Sequence, residues 1–334
     1  MSWRTALYNY VHAKNQAELE GSAASLETYI SDSAHIQNQD IRLRKRIETY
    51  RDRDAKPMRS ETKLRLTGVK ETANRIIADI QLRRSIHYRI GSIDHLEERI
   101  EPERVFLEAV AGRWCVRETE ALHSEKLLSN FLLDNEGSSY GGIRAPSIPY
   151  INHGILKGAG SESLTRKIKY DRASVVNYAE AWWDKANPKY EEFEVDCTNF
   201  VSQCLFAGGA PMDYTGKRAS GWWYAGKQGS QELWSYSWAV AHSLKTFLLH
   251  SHRGLHSYAV NDPKELQPGD TICYDWDGDG RYQHNAIVTA KDANGMPLVN
   301  AHTYNSRNRY WAYKDSPAWT ERTQYKFFRV ADEM

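Results

Sequence analysis

The sequence predicts an α+β protein of two domains, an amino-terminal helix-plus-antiparallel-sheet domain followed by a second domain whose helices precede its strands. Three observations predict it. Nine of the eleven tryptophans lie after residue 180, whereas the Arg- and Glu-dense periodic segments lie before residue 130, so the two halves differ in texture. The first half changes from helical spacing to period-two alternation, the signature of helices followed by half-buried strands. A chain of 334 residues is also long enough to bury two cores.

The elements follow in order. Residues 2–50 carry Leu7, Tyr10, Val11, Leu19, Leu26, Tyr29 and Ile30 at helical spacing with no proline, which fits one long helix or two shorter ones. The segments 61–69, 74–90 and 104–119 alternate apolar and polar residues as antiparallel strands do. This helix-then-sheet pattern resembles the cystatin or NTF2-like style of domain. Residues 134–164 are rich in Gly, Ser and Pro and read as a linker, dividing a first domain, 1–133, from a second, 165–334. The second opens with a helix over 172–185, stopped at Asn187-Pro188. A cysteine-bearing helix, a tryptophan-rich loop at 220–224, a helix over 237–249 and strands at 271–276, 284–290 and 296–303 complete it.

Composition excludes some function classes. Lys+Arg total 44 against 43 Asp+Glu, so no global field draws nucleic acid or an anionic membrane. No apolar run has the length to span a bilayer, and the first residues lack the apolar core of a secretory signal, so the expected location is cytoplasmic, with export by another route or after loss of a leader as the alternative. Cys115, Cys197, Cys204 and Cys273 are too few and too scattered for a disulfide framework or a zinc knuckle.

Cys197 stands apart. Cys197, Phe200, Val201, Cys204 and Leu205 form the buried stripe of an amphipathic helix that Asp196 is expected to cap and that Gly208 and Gly209 stop. A thiol in the first turn meets amide N–H groups and the positive end of the helix dipole, which favour the thiolate. His284, leading the strand after the loop 275–283, supplies a base, because contact between a cysteine and a histidine can yield thiolate and imidazolium. If residues 291–295 close a simple hairpin, His302 lies opposite His284 and Asn300 opposite Ala286, on one face. His302 is then the expected orienting residue, followed by Asn300 and Asn305.

This order of helix cysteine, strand histidine and polar residue on the next strand, with Asp196-Cys197-Thr198-Asn199-Phe200-Val201 at the cysteine, resembles the NlpC/P60 cell-wall cysteine peptidases of the papain-like class. The stretches 170–183, 187–212, 221–224, 237–240, 266–289 and 299–303 together resemble the putative amidase domain family of Gram-positive bacteria. The resemblance implies a papain-like fold and hydrolysis of an amide bond, in peptidoglycan or a related peptide, by Cys197, His284 and His302. Thr198 and Asn199 depart from the Ser-Gly of NlpC/P60 proteins, so the substrate is less fixed than the chemistry. Asp196, Asn199, Trp222, Trp223 and Asn300 are the expected substrate contacts. No cofactor or metal is needed.

Plainer uses of the same residues stand beside these. Cys204, Cys115 and Cys273 read as packing. Asp275, Asp277 and Asp279 match the opening of a calcium loop, but Ala286 holds the place of the bidentate glutamate, so a tight turn is the preferred reading. His250, His252 and His256 lack an acidic partner for a metal. The tryptophans serve equally as a sugar or peptide groove and as core. Acyl transfer is the rival chemistry. A silent module binding peptide or glycan is the rival class, with the amino-terminal domain as a docking surface for a protein partner.

Overall fold

A computed structural model describes residues 2–122, 168–228, 231–252 and 254–334. The expected linker, 134–164, lies outside the described residues. The architecture is α+β, with a helix-and-sheet amino-terminal region and a mixed carboxy-terminal region. The chain divides into two compact units, Met1–Ser124 with Ala290–Glu321, and Glu125–Thr289 with Arg322–Met334.

The first unit begins with α1 (Trp3–Glu20) and α2 (Ser33–Asp52). The Ser2 hydroxyl accepts from Thr5 N, and the helix ends at Gly21, whose φ of 68° suits a residue without Cβ. Asp32 caps α2 by accepting from Ala34 N and His35 N. The break at Gly21 settles the choice in favour of two helices. Strands β1 (Ala55–Glu71), β2 (Arg75–Ile90), β3 (Ile93–Val110) and β4 (Arg113–Ala121) form an antiparallel meander. The segment 104–119, expected as one strand, is divided between β3 and β4 by a two-residue turn, Ala111 and Gly112, both at positive φ. Such a turn matches the twist of a hairpin.

Alternate residues of β2, Ile76, Ala78, Ile80 and Leu82, are fully buried in a core shared with Leu7, Tyr10, Val11, Ala17 and Leu43 from the helices. The same interior holds charge. Glu18 is paired with Arg42 at 2.7 Å and with Arg46 and Arg84, and Arg84 also meets Glu101 at 3.1 Å. Lys14 pairs with Glu103, and Arg99 with both Glu97 and Asp315. Burial alone would raise the Glu101 carboxyl, but Arg84, Lys14 and Arg42 outweigh it and push it down to about 2. Arg46, Arg84 and Arg42 likewise hold Glu18 well below the usual carboxylate range against its burial.

The second unit opens with α3 (Arg172–Trp182), capped by Asp171, and α4 (Cys197–Ala207). Gly208 ends α4 against α3, where a Cβ would come within 2.3 Å of Val175 Cγ2. The hairpin β5 (Tyr224–Gln228) and β6 (Gln231–Trp234) follows. The helix expected over 237–249 is two, α5 (Tyr236–Ala239) and α6 (Ala241–His250), because Val240 is extended. Strands β7 (Ser257–Val260), β8 (Thr271–Asp275), β9 (His284–Lys291) and the last strand, β12 (Gln324–Val330), build an antiparallel sheet in the order β9-β8-β12-β7.

Strands β10 (Pro297–Ala301) and β11 (Ser306–Tyr310) belong to the first unit, although the sequence division assigns them to the second domain. The physical reason is pairing: Ser306 and Arg307 of β11 lie opposite Arg99 and Glu98 of β3. A buried ion pair between Arg53 and Asp292 at 3.1 Å ties the turn before β10 to the same unit.

Candidate active site

Cys197 is the first residue of α4 and is 1% exposed. Asp196 precedes it but does not cap the helix with its side chain, which corrects the sequence expectation. Its backbone, at φ −105° and ψ 1°, is not the extended conformation that turns a capping side chain toward the first turn. The carboxylate instead accepts from Phe193 N at 3.2 Å and from Asn199 Nδ2 at 2.8 Å.

Asn199 holds this turn in place. Its Nδ2 donates to Glu191 O at 2.7 Å as well as to Asp196, and its Oδ1 accepts from Trp238 Nε1 at 2.8 Å. Trp222 Nε1 donates to Ser202 Oγ, which itself donates to Trp238 O. Trp223 Nε1 donates to Ser220 O. Asn199, Trp222 and Trp223 were natural choices for substrate contact from sequence, yet each is at most 2% exposed and each has its polar atoms engaged inside the protein. Asn199 and Trp222 brace the cysteine helix.

The sheet meets α4 through Asn285, whose Nδ2 donates to Thr198 Oγ1 at 2.9 Å; Thr198 Oγ1 lies 3.7 Å from Cys197 Sγ. Asn285 pairs across the sheet with Cys273, a buried thiol whose pKa is raised, first by burial and further by the nearby Cys197. Burial raises Cys204 well above the ordinary thiol value too. Both are thereby held as neutral thiols at physiological pH.

His284, one residue before Asn285, is 1% exposed. Its ring lies 5.3 Å from that of Tyr274, its partner on β8, and 5.8 Å from that of Trp276, which it stacks at 25°. An imidazolium here would be attracted to the electron-rich ring faces. The preceding loop is organised by Asp275, whose carboxylate accepts from the N–H groups of Gly278, Asp279 and Gly280. At Gly278, with φ 65°, a Cβ would lie 2.4 Å from Arg322 O, so glycine is required. Asp275 thus serves the turn use of this loop. Tyr282 N donates to His242 Nδ1 at 3.3 Å, which fixes the chain two residues before His284. No sequence pattern marked His242.

In the first unit, Asn300 is fully buried on β10, and its Oδ1 accepts from Asn308 N at 2.9 Å. His302, 5% exposed, follows the strand and precedes Thr303, a β-branched residue at φ 74°. Such a residue in the left-handed region is unusual and marks a constrained position. The turn before β10 closes through Asp292 N to Met296 O rather than by Lys291 opposite Gly295 as the sequence suggested.

Among the described residues no group of three or more His, Cys, Asp or Glu side chains could hold a metal ion. His250 Nδ1 bonds Thr246 O and His256 Nδ1 bonds Gly254 O, each a local backbone contact. A cleft of about 830 Å³ is lined by Asp213, Tyr236, Ser237, His242, Phe247 and His252 among others; Cys197 and His284 are not in its lining. No described helix is long and apolar enough to cross a membrane.

Residues 169–328 match the family described as "Putative amidase domain". The Bacillus subtilis (strain 168) protein YhbB is 54% identical over 172 residues, covering 52% of this chain and 54% of that one. YjcM of the same organism is 29% identical over 148 residues, covering 42% of this chain and 32% of that one. The chain thus spans about half the length of one relative and a third of the other. The intermembrane space region of the chloroplast protein ARC6 aligns over 36% of this chain and 97% of its own at 15% identity, with a TM-score of 0.26, a likeness that carries no argument.

Proposed function

We propose that the amidase-type domain is a thiol-dependent hydrolase of papain-like type in which Cys197 attacks an amide carbonyl and His284 is the proton carrier. The observation that carries this reading is the buried cysteine at an uncapped helix start, joined by the Thr198–Asn285 hydrogen bond to the strand that begins with His284. In the proposed sequence His284 takes the thiol proton, the thiolate adds to the carbonyl carbon, and the Cys197 N–H stabilises the oxyanion. Collapse returns the proton to the leaving amine and leaves a thioester, which a water activated by His284 hydrolyses. His302 stands as the third member on the sequence argument alone. Peptide amides, including those of peptidoglycan, are the first substrates to test.

The test is the alkylation rate of each cysteine by iodoacetamide at mildly acid pH, resolved by mass spectrometry. Cys197 is expected to label well ahead of Cys204 and Cys273, whose thiols burial keeps protonated, and to lose that lead in His284→Ala. Equal labelling of all cysteines in the native protein would remove the proposal. On a cleaved amide, Cys197→Ala and His284→Ala should each lower kcat by about 10⁴-fold or more with the fold intact, and His302→Ala by less.

A further inference from the structure

Among the described residues strand β1 is the terminal strand of its sheet, paired with β2 on one side only. Its two halves differ. Near its start, α1 covers the edge: Asn15 Nδ2 donates to Ser60 O at 2.7 Å, and the Ser60 and Thr62 hydroxyls both bond Asn15 Oδ1. Beyond Thr62 that cover ends, and of residues 63–71 all but the half-buried Gly68 are exposed.

The two faces of this stretch have opposite chemistry. Leu64 and Leu66 lie opposite Leu82 and Ile80 of β2, and after a bulge Val69 lies opposite Ala78. Those three β2 residues are fully buried, whereas Leu64, Leu66 and Val69 are 36%, 41% and 39% exposed, so the apolar face of the sheet continues past its helical cover. On the other face Lys63 and Arg65 lie opposite Arg83 and Gln81. Neither Lys63 nor Arg65 forms an ion pair among the described residues, and Asp79, near Lys70, is already engaged by Arg104 at 2.7 and 3.1 Å.

We propose that residues 63–71 form a docking edge on which an extended acidic segment of a partner protein adds as a further β-strand. Free main-chain groups on the edge would supply the ladder, apolar side chains of the partner would extend the face of Leu64 and Leu66, and its acidic side chains would lie beside Lys63 and Arg65. A second copy of this chain is the less favoured occupant, because an antiparallel pair centred on Leu64 sets Lys63 of each copy opposite Arg65 of the other. Basic side chains and a bulge are the devices that discourage edge-to-edge association of like chains. They leave an acidic strand favoured.

The test uses the full chain and a fluorescein-labelled heptapeptide of alternating glutamate and valine, with the lysine-for-glutamate peptide as its counterpart. Fluorescence polarisation should show the glutamate peptide binding more tightly than the lysine peptide, less so as salt rises. Lys63→Glu with Arg65→Glu should weaken it roughly tenfold and shift preference toward the lysine peptide; Lys63→Gln with Arg65→Gln should give an intermediate loss. Hydrogen exchange should slow at the amides of residues 63–67 when the glutamate peptide is bound. Equal affinity for the two peptides would overturn the proposal, as would binding without amide protection. Light scattering that finds a dimer broken by Leu64→Lys would assign the edge to a second copy and overturn it too.

Discussion

The interior around Glu18 and the interior around Cys197 are equally buried and equally polar, yet they are built on opposite plans. In the first unit full charges neutralise one another, with Glu18, Glu97, Glu101, Glu103 and Asp315 each set against arginine or lysine. In the second, neutral amide, hydroxyl and indole groups of Asn199, Ser202, Trp222 and Trp238 fix a single helix turn, and Asp196 is the charged member. Strongly shifted titratable groups often flag active sites. Among the described residues an ion-pair network in the first unit also carries many shifted groups, because mutually satisfied buried pairs shift one another. The candidate site is distinguished by how its backbone is held.

The comparison can be broken from either side. Glu18→Ala leaves Arg42, Arg46 and Arg84 buried without their shared carboxylate, and should destabilise the first unit by about 3–5 kcal/mol. Hydrogen exchange resolved by segment should show the loss concentrated in α1, α2 and β2; protection unchanged there would mean that the network carries no stability. Acid provides the next test. A carboxylate whose folded pKa lies below its unfolded one stabilises above the unfolded value and loses that contribution as pH falls through the folded value. For Glu101 the window runs from the ordinary glutamate value down to about 2, and the loss is on the order of 3 kcal/mol. Urea denaturation at stepped pH would register it as a falling midpoint.

On the other side, Asn199→Ala removes two donors and one acceptor from a dry site and orphans Trp238 Nε1, a change of about 1–3 kcal/mol. It should also slow alkylation of Cys197, since the turn it braces is the one carrying the thiol. A variant that loses stability but keeps the labelling rate would make Asn199 a packing residue only. Trp222→Phe keeps most of the ring and deletes the hydrogen bond to Ser202, so about 1 kcal/mol is expected, read by thermal unfolding.

The placement of two candidate residues was legible because it depends on residue type and local setting together. A thiol opening an apolar helix and a histidine opening a strand are local facts, and Cys197 and His284 stand at those two positions. Asn199, Trp222 and Trp223 were read less well. Their types suit a ligand as readily as a core, and burial, which sequence does not contain, separates the two uses. His242 went unnoticed because its link to Tyr282 crosses forty residues of chain and no motif marks the His242 end.

The sequence by itself determined the local grammar: the alternation of β2, the glycine stop of the cysteine helix at Gly208, the Asp-Gly turn before His284. Each depends on a few adjacent residues whose backbone preferences and apolar spacing suffice. Tertiary structure alone decided that β11 pairs with β3, that Arg53 meets Asp292, and that the Asp196 carboxylate turns back toward Asn199 rather than capping its helix. These outcomes depend on partners distant in the chain, or on a backbone angle set by packing, and no short window of residues encodes either.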